Sequence, residues 1–360
     1  MTVPPISFSG TKQADAIGRV VSAEGPILEV QFDPAQTPSL FNALTITGPL
    51  HGDVGTAAVV QSLTNGKVRC ISLTPQVRYV NGWDAIDTGA PALQPADDTS
   101  VREMVDLLGK YHIAESVMLE TGMKAVDLLC PIPVRGHVGL FAEWGLSAPI
   151  LVAEILQHLE GRPGSLSLIT LLQLRPDTPR WKESVAEMVT AAGEQQALYL
   201  PVSEPNSPTF QAQFTRLDAV ISLSREYAKQ GFYPPIDPYL SHSRLLEMRS
   251  VSWDHTETAA AVRQILERYR AFGPVIANSG MEALSPADRL LASRARKIQR
   301  FLTQPFFVAE PYTGMAGKWV PCQETILGCK ALLEGVYDSF PEQAFYMIGA
   351  IEEAAAKLSA

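Results

Sequence analysis

A glycine followed by a lysine occurs at Gly66-Lys67, Gly109-Lys110 and Gly317-Lys318, and that dipeptide is the first place to look for phosphate chemistry. In G-x-x-x-x-G-K-[ST], glycines let backbone N–H groups wrap the phosphates, the lysine reaches them, and the hydroxyl holds Mg²⁺. Here the next residues are Val68, Tyr111 and Trp319, so none of the three completes the motif. The histidines His51, His112, His137, His158, His242 and His255 show no metal-ligand spacing and are read as structural. Cys70, Cys130, Cys322 and Cys329 form no CxxC pair; they read as buried thiols in a reducing compartment. Arg294, Arg296, Lys297 and Arg300 fall on one side of a helical stretch. They are expected to face away from the core, as a solvated face or an intersubunit rim. The formal charge of −9 argues against a nucleic-acid partner, without excluding a basic protein.

The elements that must position any site come in three blocks. Residues 1–90 read as a small, mostly antiparallel barrel or sandwich. Leu28, Val30 and Phe32 alternate with Glu29 and Gln31, and Asn65-Gly66 marks a hairpin between Ala57–Thr64 and Lys67–Leu73. Residues 91–249 alternate strand and helix character, the pattern of an α/β layer with parallel strands. The strands expected are Val138–Phe141, Ser165–Leu174 and Ala197–Val202; the helices are Pro149–Glu160, Glu183–Ala192 and Phe214–Lys229, the last stopping at Gly231. Residues 250–360 read as a helical bundle: Asp254–Phe272, a helix capped by Ser285-Pro286, Glu324–Leu333 and Glu342–Leu358. No apolar run reaches the roughly 18 residues that span a bilayer. Residues Met1 to Gly10 lack a charged segment followed by an apolar one, so no secretory signal is expected.

That order of blocks, with several runs along it, resembles the β subunit of F-type ATP synthases. Ile17-Gly18-Arg19-Val20-Val21 looks like the family's barrel, and Glu120-Thr121-Gly122-Met123-Lys124 looks like the entry to its nucleotide domain. Leu223-Ser224-Arg225 and Tyr233-Pro234-Pro235-Ile236-Asp237-Pro238 resemble the end of that domain. The longest matches are Ser293 to Leu302, Gln304 to Glu310 and Pro341 to Met347. The resemblance implies an N-terminal β-barrel, a shortened P-loop-NTPase-like α/β domain and a C-terminal helical bundle.

The departures from the family are chemical. Its P-loop follows Gly139-Leu140-Phe141, where this chain has Ala142-Glu143-Trp144-Gly145-Leu146-Ser147-Ala148-Pro149. Ala148 falls at the lysine position and Pro149 at the Ser/Thr position. Glu143 brings negative charge close to where phosphate charge would sit, and Pro149 lacks a backbone donor. The family's water-activating Glu has no carboxylate in register within Leu174 to Arg180; Asp177 and Glu183 are better read as solvated loop acids. The family's Walker B strand has no counterpart between Asn206 and Phe214. No metal ligand and no catalytic residue is expected.

Tyr233 and Tyr312 match aromatics that border adenine in the family, so the resemblance allows a base pocket that binds adenine nucleotide weakly and without Mg²⁺. Packing at a subdomain junction is the competing role. Met281 to Asp288 matches the family's acidic segment against the rotating stalk, with acids only at Glu282 and Asp288. The resemblance thus implies a catalytically inactive structural or regulatory subunit. Its expected partners are α/β-type subunits and the central stalk. It would be cytoplasmic, and peripheral to an energy-coupling membrane through those partners. The alternative is a working β subunit of an unusual ATP synthase coupled to proton or sodium transport. A drifting gene product is disfavoured by the intact caps, turns and apolar stripes.

Overall fold

A computed structural model describes residues 16–49, 54–74, 77–92, 114–158, 168–174 and 197–359, with Val101, Arg102, Val105, Asp106 and Leu108 besides. The described residues up to Ala92 form one compact unit, and those from Val101 onward form a second. The expected helix Glu183–Ala192 and the acids Asp177 and Glu183 lie outside the described residues.

The first unit settles the choice between barrel and sandwich. Strands β1 (Ile17–Glu24), β2 (Ile27–Gln31), β3 (Asn42–Thr47), β4 (Val54–Ser62), β5 (Lys67–Ser72) and β6 (Asp84–Pro91) close in the order β1-β2-β5-β4-β3-β6. Leu28, Val30 and Phe32 are buried while Glu29 and Gln31 are half-buried, as their alternation requires. The hairpin between β4 and β5 turns on Asn65 (φ 58°) and Gly66 (φ 79°), the positive angles that Asn-Gly adopts readily. A Cβ at Gly66 would also lie 2.6 Å from the Phe32 carbonyl oxygen, so no other residue fits there.

In the second unit a two-stranded ribbon, β7 (Met118–Leu119) and β8 (Ile132–Pro133), flanks helix α1 (Lys124–Leu129). A five-stranded sheet follows, built of β9 (His137–Ala142), β10 (Leu168–Leu174), β11 (Ala197–Val202), β12 (Ala219–Ser222) and β13 (His242–Ser243). Its order is β11-β10-β9-β12-β13, parallel except at β13. Helix α2 (Ala148–His158) leaves β9 through a short loop, where Pro149–Glu160 was expected.

The expected helix Phe214–Lys229 is a correction. Its centre is β12, and only α3 (Arg225–Lys229) is helical, followed by Gly231 at φ 79°. Ala219, Val220, Ile221 and Ser222 are all buried, and a run without exposed alternate positions suits a strand covered on both faces. Periodicity alone does not separate such a strand from a helix. Phe214 and Phe210 instead pack their rings on Phe141 of β9, at 5.4 and 6.3 Å.

The C-terminal helices are α4 (Trp253–Ala271), α5 (Pro286–Phe301) and α6 (Cys322–Glu334). Ser285 caps α5 as expected: its Oγ accepts from Asp288 N at 3.2 Å and donates to the Asp288 carboxylate at 2.7 Å. The helix Gly273–Ser279, the turn Met281–Ala283 and α5 give the helix-turn-helix shape expected there. The basic face of α5 corrects its expected role. Lys297 is 3 % exposed, and its Nζ donates to the carbonyls of Tyr337 and Asp338 at 2.9 and 2.7 Å. Arg294 holds Asp338 and the Leu333 carbonyl, and Arg296 holds Glu342. Arg294, Arg296 and Lys297 thus bind the chain's own segment 333–342, while Arg300 donates to the Gln230 carbonyl at 3.2 Å.

The expected helix Glu342–Leu358 is also broken, into a 3-10 turn at Glu342–Phe345 and a helix at Glu353–Ser359. Between them Met347 takes φ 55°, and the carbonyls of Ile348 and Gly349 turn inward to the Lys124 Nζ at 2.6 and 3.1 Å. Lys124 is fully buried beneath this turn, 4.4 Å from the Phe301 ring centroid. Among the described residues no helix is long and apolar enough to cross a membrane.

Burial lowers the Lys124 pKa to about 7 from 10.5. Between those values the unfolded chain carries a proton that the folded chain lacks, so this group makes stability rise with pH. Asp127, raised by burial to about 7, has largely finished titrating below that window. The stability of the wild type relative to Lys124→Met should therefore increase by roughly 1.4 kcal/mol per pH unit between about pH 8 and 10. Urea unfolding of both chains at several pH values checks it; parallel pH profiles would show that Lys124 titrates normally.

Candidate functional site

The sheet places a candidate site where β9 and β12 end side by side. Leu140 and Phe141 pair with Ile221 and Ser222, and Leu223 N donates to the Phe141 carbonyl at 2.8 Å. The loop from β9 and the start of α3 therefore emerge together. Ala142 closes β9 with its side chain buried; Glu143, Trp144, Gly145, Leu146 and Ser147 form the loop; Ala148 and Pro149 open α2. Gly145 (φ 87°) and Ser147 (φ 57°) supply the left-handed residues of the turn, while Leu146 and Ala148 anchor it in the core.

A strand, a tight loop and a helix thus follow one another over 137–158. The methyl group of Ala148 and the ring of Pro149 offer neither a cation nor a hydroxyl. Instead Arg225 of α3 reaches the loop, its Nε donating to Glu143 Oε2 at 2.8 Å and a terminal nitrogen to the Trp144 carbonyl at 3.0 Å. Among the described residues no group of three or more His, Cys, Asp or Glu side chains is placed to hold a metal ion.

One turn further along α2, Glu154 has no solvent exposure. Its carboxylate accepts from the backbone N–H groups of Phe307 and Val308, both at 3.0 Å. His158, four residues on, stands 3.1 Å from the same carboxylate, and its Nδ1 lies 2.6 Å from the Thr121 carbonyl. The Phe307 and Trp319 rings meet the His158 ring edge-on, at 5.4 and 5.0 Å. The helix that leaves the loop is thereby fastened to the segment Phe306–Val308.

That segment carries one of the expected aromatics with it. Tyr233 is half-buried, its ring 4.8 Å from that of Phe306, and its carbonyl accepts from Gln304 N at 2.9 Å. Burial, and then the Glu154 charge, push the Tyr233 phenol up to about 12. Tyr312, on the short helix Glu310–Thr313, is 89 % exposed. Tyr233 therefore belongs to the cluster around Glu154, while Tyr312 presents its ring to solvent.

The sequence assigned no site role to Glu154, Phe306 or Arg225, and His158 was read only as structural. The signal for Glu154 was an acid on the apolar face of an expected helix. Arg225 sits directly after a buried strand, at the end where ligands of parallel sheets gather. Neither signal names the partner.

Comparison with known families agrees with this layout at both ends. Residues 20–76 match the family model described as the ATP synthase alpha/beta family, beta-barrel domain. Residues 246–341 match the model of the C-terminal domain of V and A type ATP synthase. Both models are of ATP synthase subunits, and the two matched stretches stand in the order barrel domain, then C-terminal domain.

Removing the Glu154 carboxylate would leave two backbone donors without their acceptor, and a buried unpaired donor costs on the order of 1–3 kcal/mol. Glu154→Ala should lower unfolding stability by about 3 kcal/mol and change the fluorescence of Trp319 beside His158. Denaturant unfolding with tryptophan emission measures both; a loss below about 0.5 kcal/mol would show that the contact carries no stability.

Proposed function

We propose that the chain is an assembly subunit of a rotary ATPase, related to the F-type β subunit, that has given up ATP hydrolysis and synthesis. The observation that carries the reading is the contrast between its parts. Domains of rotary ATP synthase subunits stand at both ends. The loop between them has Ala148 and Pro149 where phosphate chemistry needs a lysine and a hydroxyl. Removing one preorganised electrostatic donor typically costs about 10²–10³ in rate, and here a cation and a metal-bearing hydroxyl go together.

The partners in this reading are α- or β-type subunits, which the barrel and helical domain would join, together with the central stalk. The exposed turn Met281–Ala283 and the segment to Asp288 are the surface offered to the stalk. Attachment to an energy-coupling membrane would then be peripheral, from the cytoplasmic side. In this reading the half-buried Tyr233 is the aromatic offered to adenine, since a ring stacks on a base without any phosphate contact.

Co-purification and size-exclusion chromatography with rotary ATPase α-, β- and stalk-type subunits test the assembly role; no association with any of them would end it. Calorimetric titration tests the site. Mg-ATP and adenosine should bind with similar weak affinity. An Mg-ATP affinity more than about tenfold higher, the worth of one charge-assisted contact, would restore a working phosphate clamp.

A further inference from the structure

In an open parallel sheet, ligands bind outside the carboxyl ends of the strands at the point where the strand order reverses. Here the chain runs from β9 to β10 and β11 on one side, and then places β12 against the opposite edge of β9. The reversal therefore lies at the β9/β12 pair, and its crevice is bordered by the 143–147 loop and the start of α3.

That crevice already contains a cation and an anion from the chain itself. Arg225 turns two N–H groups toward the loop, and the groups that meet them are the Glu143 carboxylate and the Trp144 carbonyl. Both are acceptors. A loop that cradles phosphate presents backbone donors to its ligand, so the contact between this loop and Arg225 has the opposite polarity. A carboxylate oxygen and a phosphate oxygen make the same kind of charge-assisted bond to a guanidinium, and Arg is the residue suited to either.

We propose that Arg225 and the β9–α2 loop form a self-liganded anion site, in which the Glu143 carboxylate takes the place of a phosphate group. The proposal deepens the reading of the loop given above: the loop is filled as well as depleted. Glu143 acts against a phosphate ligand in two ways, by competing for Arg225 and by repelling the incoming charge. The side chains are 35 % and 49 % exposed, so the pair is held weakly enough to be exchanged once the carboxylate is neutralised.

The test uses inorganic pyrophosphate as the probe and the isolated full chain, so its outcome does not depend on any partner subunit. Binding is measured by calorimetry at low ionic strength for the wild type, Glu143→Gln, Glu143→Ala and Glu143→Gln/Arg225→Gln, each checked for fold by circular dichroism. Glu143→Gln and Glu143→Ala should bind pyrophosphate about tenfold more tightly than the wild type, and the Arg225→Gln change should abolish the gain. Equal binding by wild type and both single variants would overturn the proposal, as would a gain that survives loss of Arg225. Failure of assembly with rotary subunits would leave this result unaffected, so the two readings fail separately.

Discussion

An ionisable side chain taken out of water has to be met by something, and the second unit of this chain meets Lys124, Glu154 and Lys297 with backbone. Lys124 donates to the carbonyls of residues 348 and 349, Glu154 accepts from the N–H groups of 307 and 308, and Lys297 donates to the carbonyls of 337 and 338. Each contact spans a large sequence separation and fixes a stretch that makes no continuous helix there. An ion of this kind adds little net stability when paired, but is costly to leave unpaired. The effect of these contacts is therefore specificity: the irregular segments 306–308, 337–338 and 346–352 have one arrangement that satisfies the buried side chains. The helices around them supply most of the apolar burial.

This constraint also links the candidate site to the rest of the unit. Glu154 lies on the helix that leaves the β9 loop, so the loop, α2 and the Phe306–Val308 segment share one anchored element. Tyr233, packed on Phe306, is held by the same anchor. Tyr233 and the loop are thus positioned together, and the loop itself carries the Glu143–Arg225 ion pair. Persistence of the scaffold is physically reasonable, because the apolar contacts under β9, β12 and α2 do not depend on what the loop binds. Phe141, Phe210 and Phe214 pack their rings on one another there.

Much of this was legible in the residues. A barrel or sandwich followed from alternation in Leu28–Phe32 and the turn chemistry of Asn65-Gly66, both local signals, and the barrel itself only from the family resemblance. The cap at Ser285 was equally local. What failed were the stretches where tertiary contacts decide. Residues 219–222 form a strand buried on both faces, which carries no alternation. The break at 346–352 depends on Lys124, more than two hundred residues earlier, and no window of sequence contains both. The basic residues of α5 were placed in solvent because charge normally seeks water. Lys297 instead finds two carbonyls, and those belong to a segment whose position sequence does not disclose.

The site was legible in a different sense. The positions without phosphate chemistry, Ala148 and Pro149, could be read directly, because a missing cation or hydroxyl is a property of the residue alone. What replaced them could not, because Glu143 and Arg225 are far apart in sequence and meet only where two parallel strands end together. Substitution at one position of a phosphate loop leaves a cavity or an unmatched charge; here Arg225 would be such a charge if Glu143 were apolar. The acid and the arginine make sense as a pair, each accounting for the other. The pairing is a property of the fold rather than of either residue alone, since the Glu143 carboxylate meets Arg225 only where β9 and β12 end together.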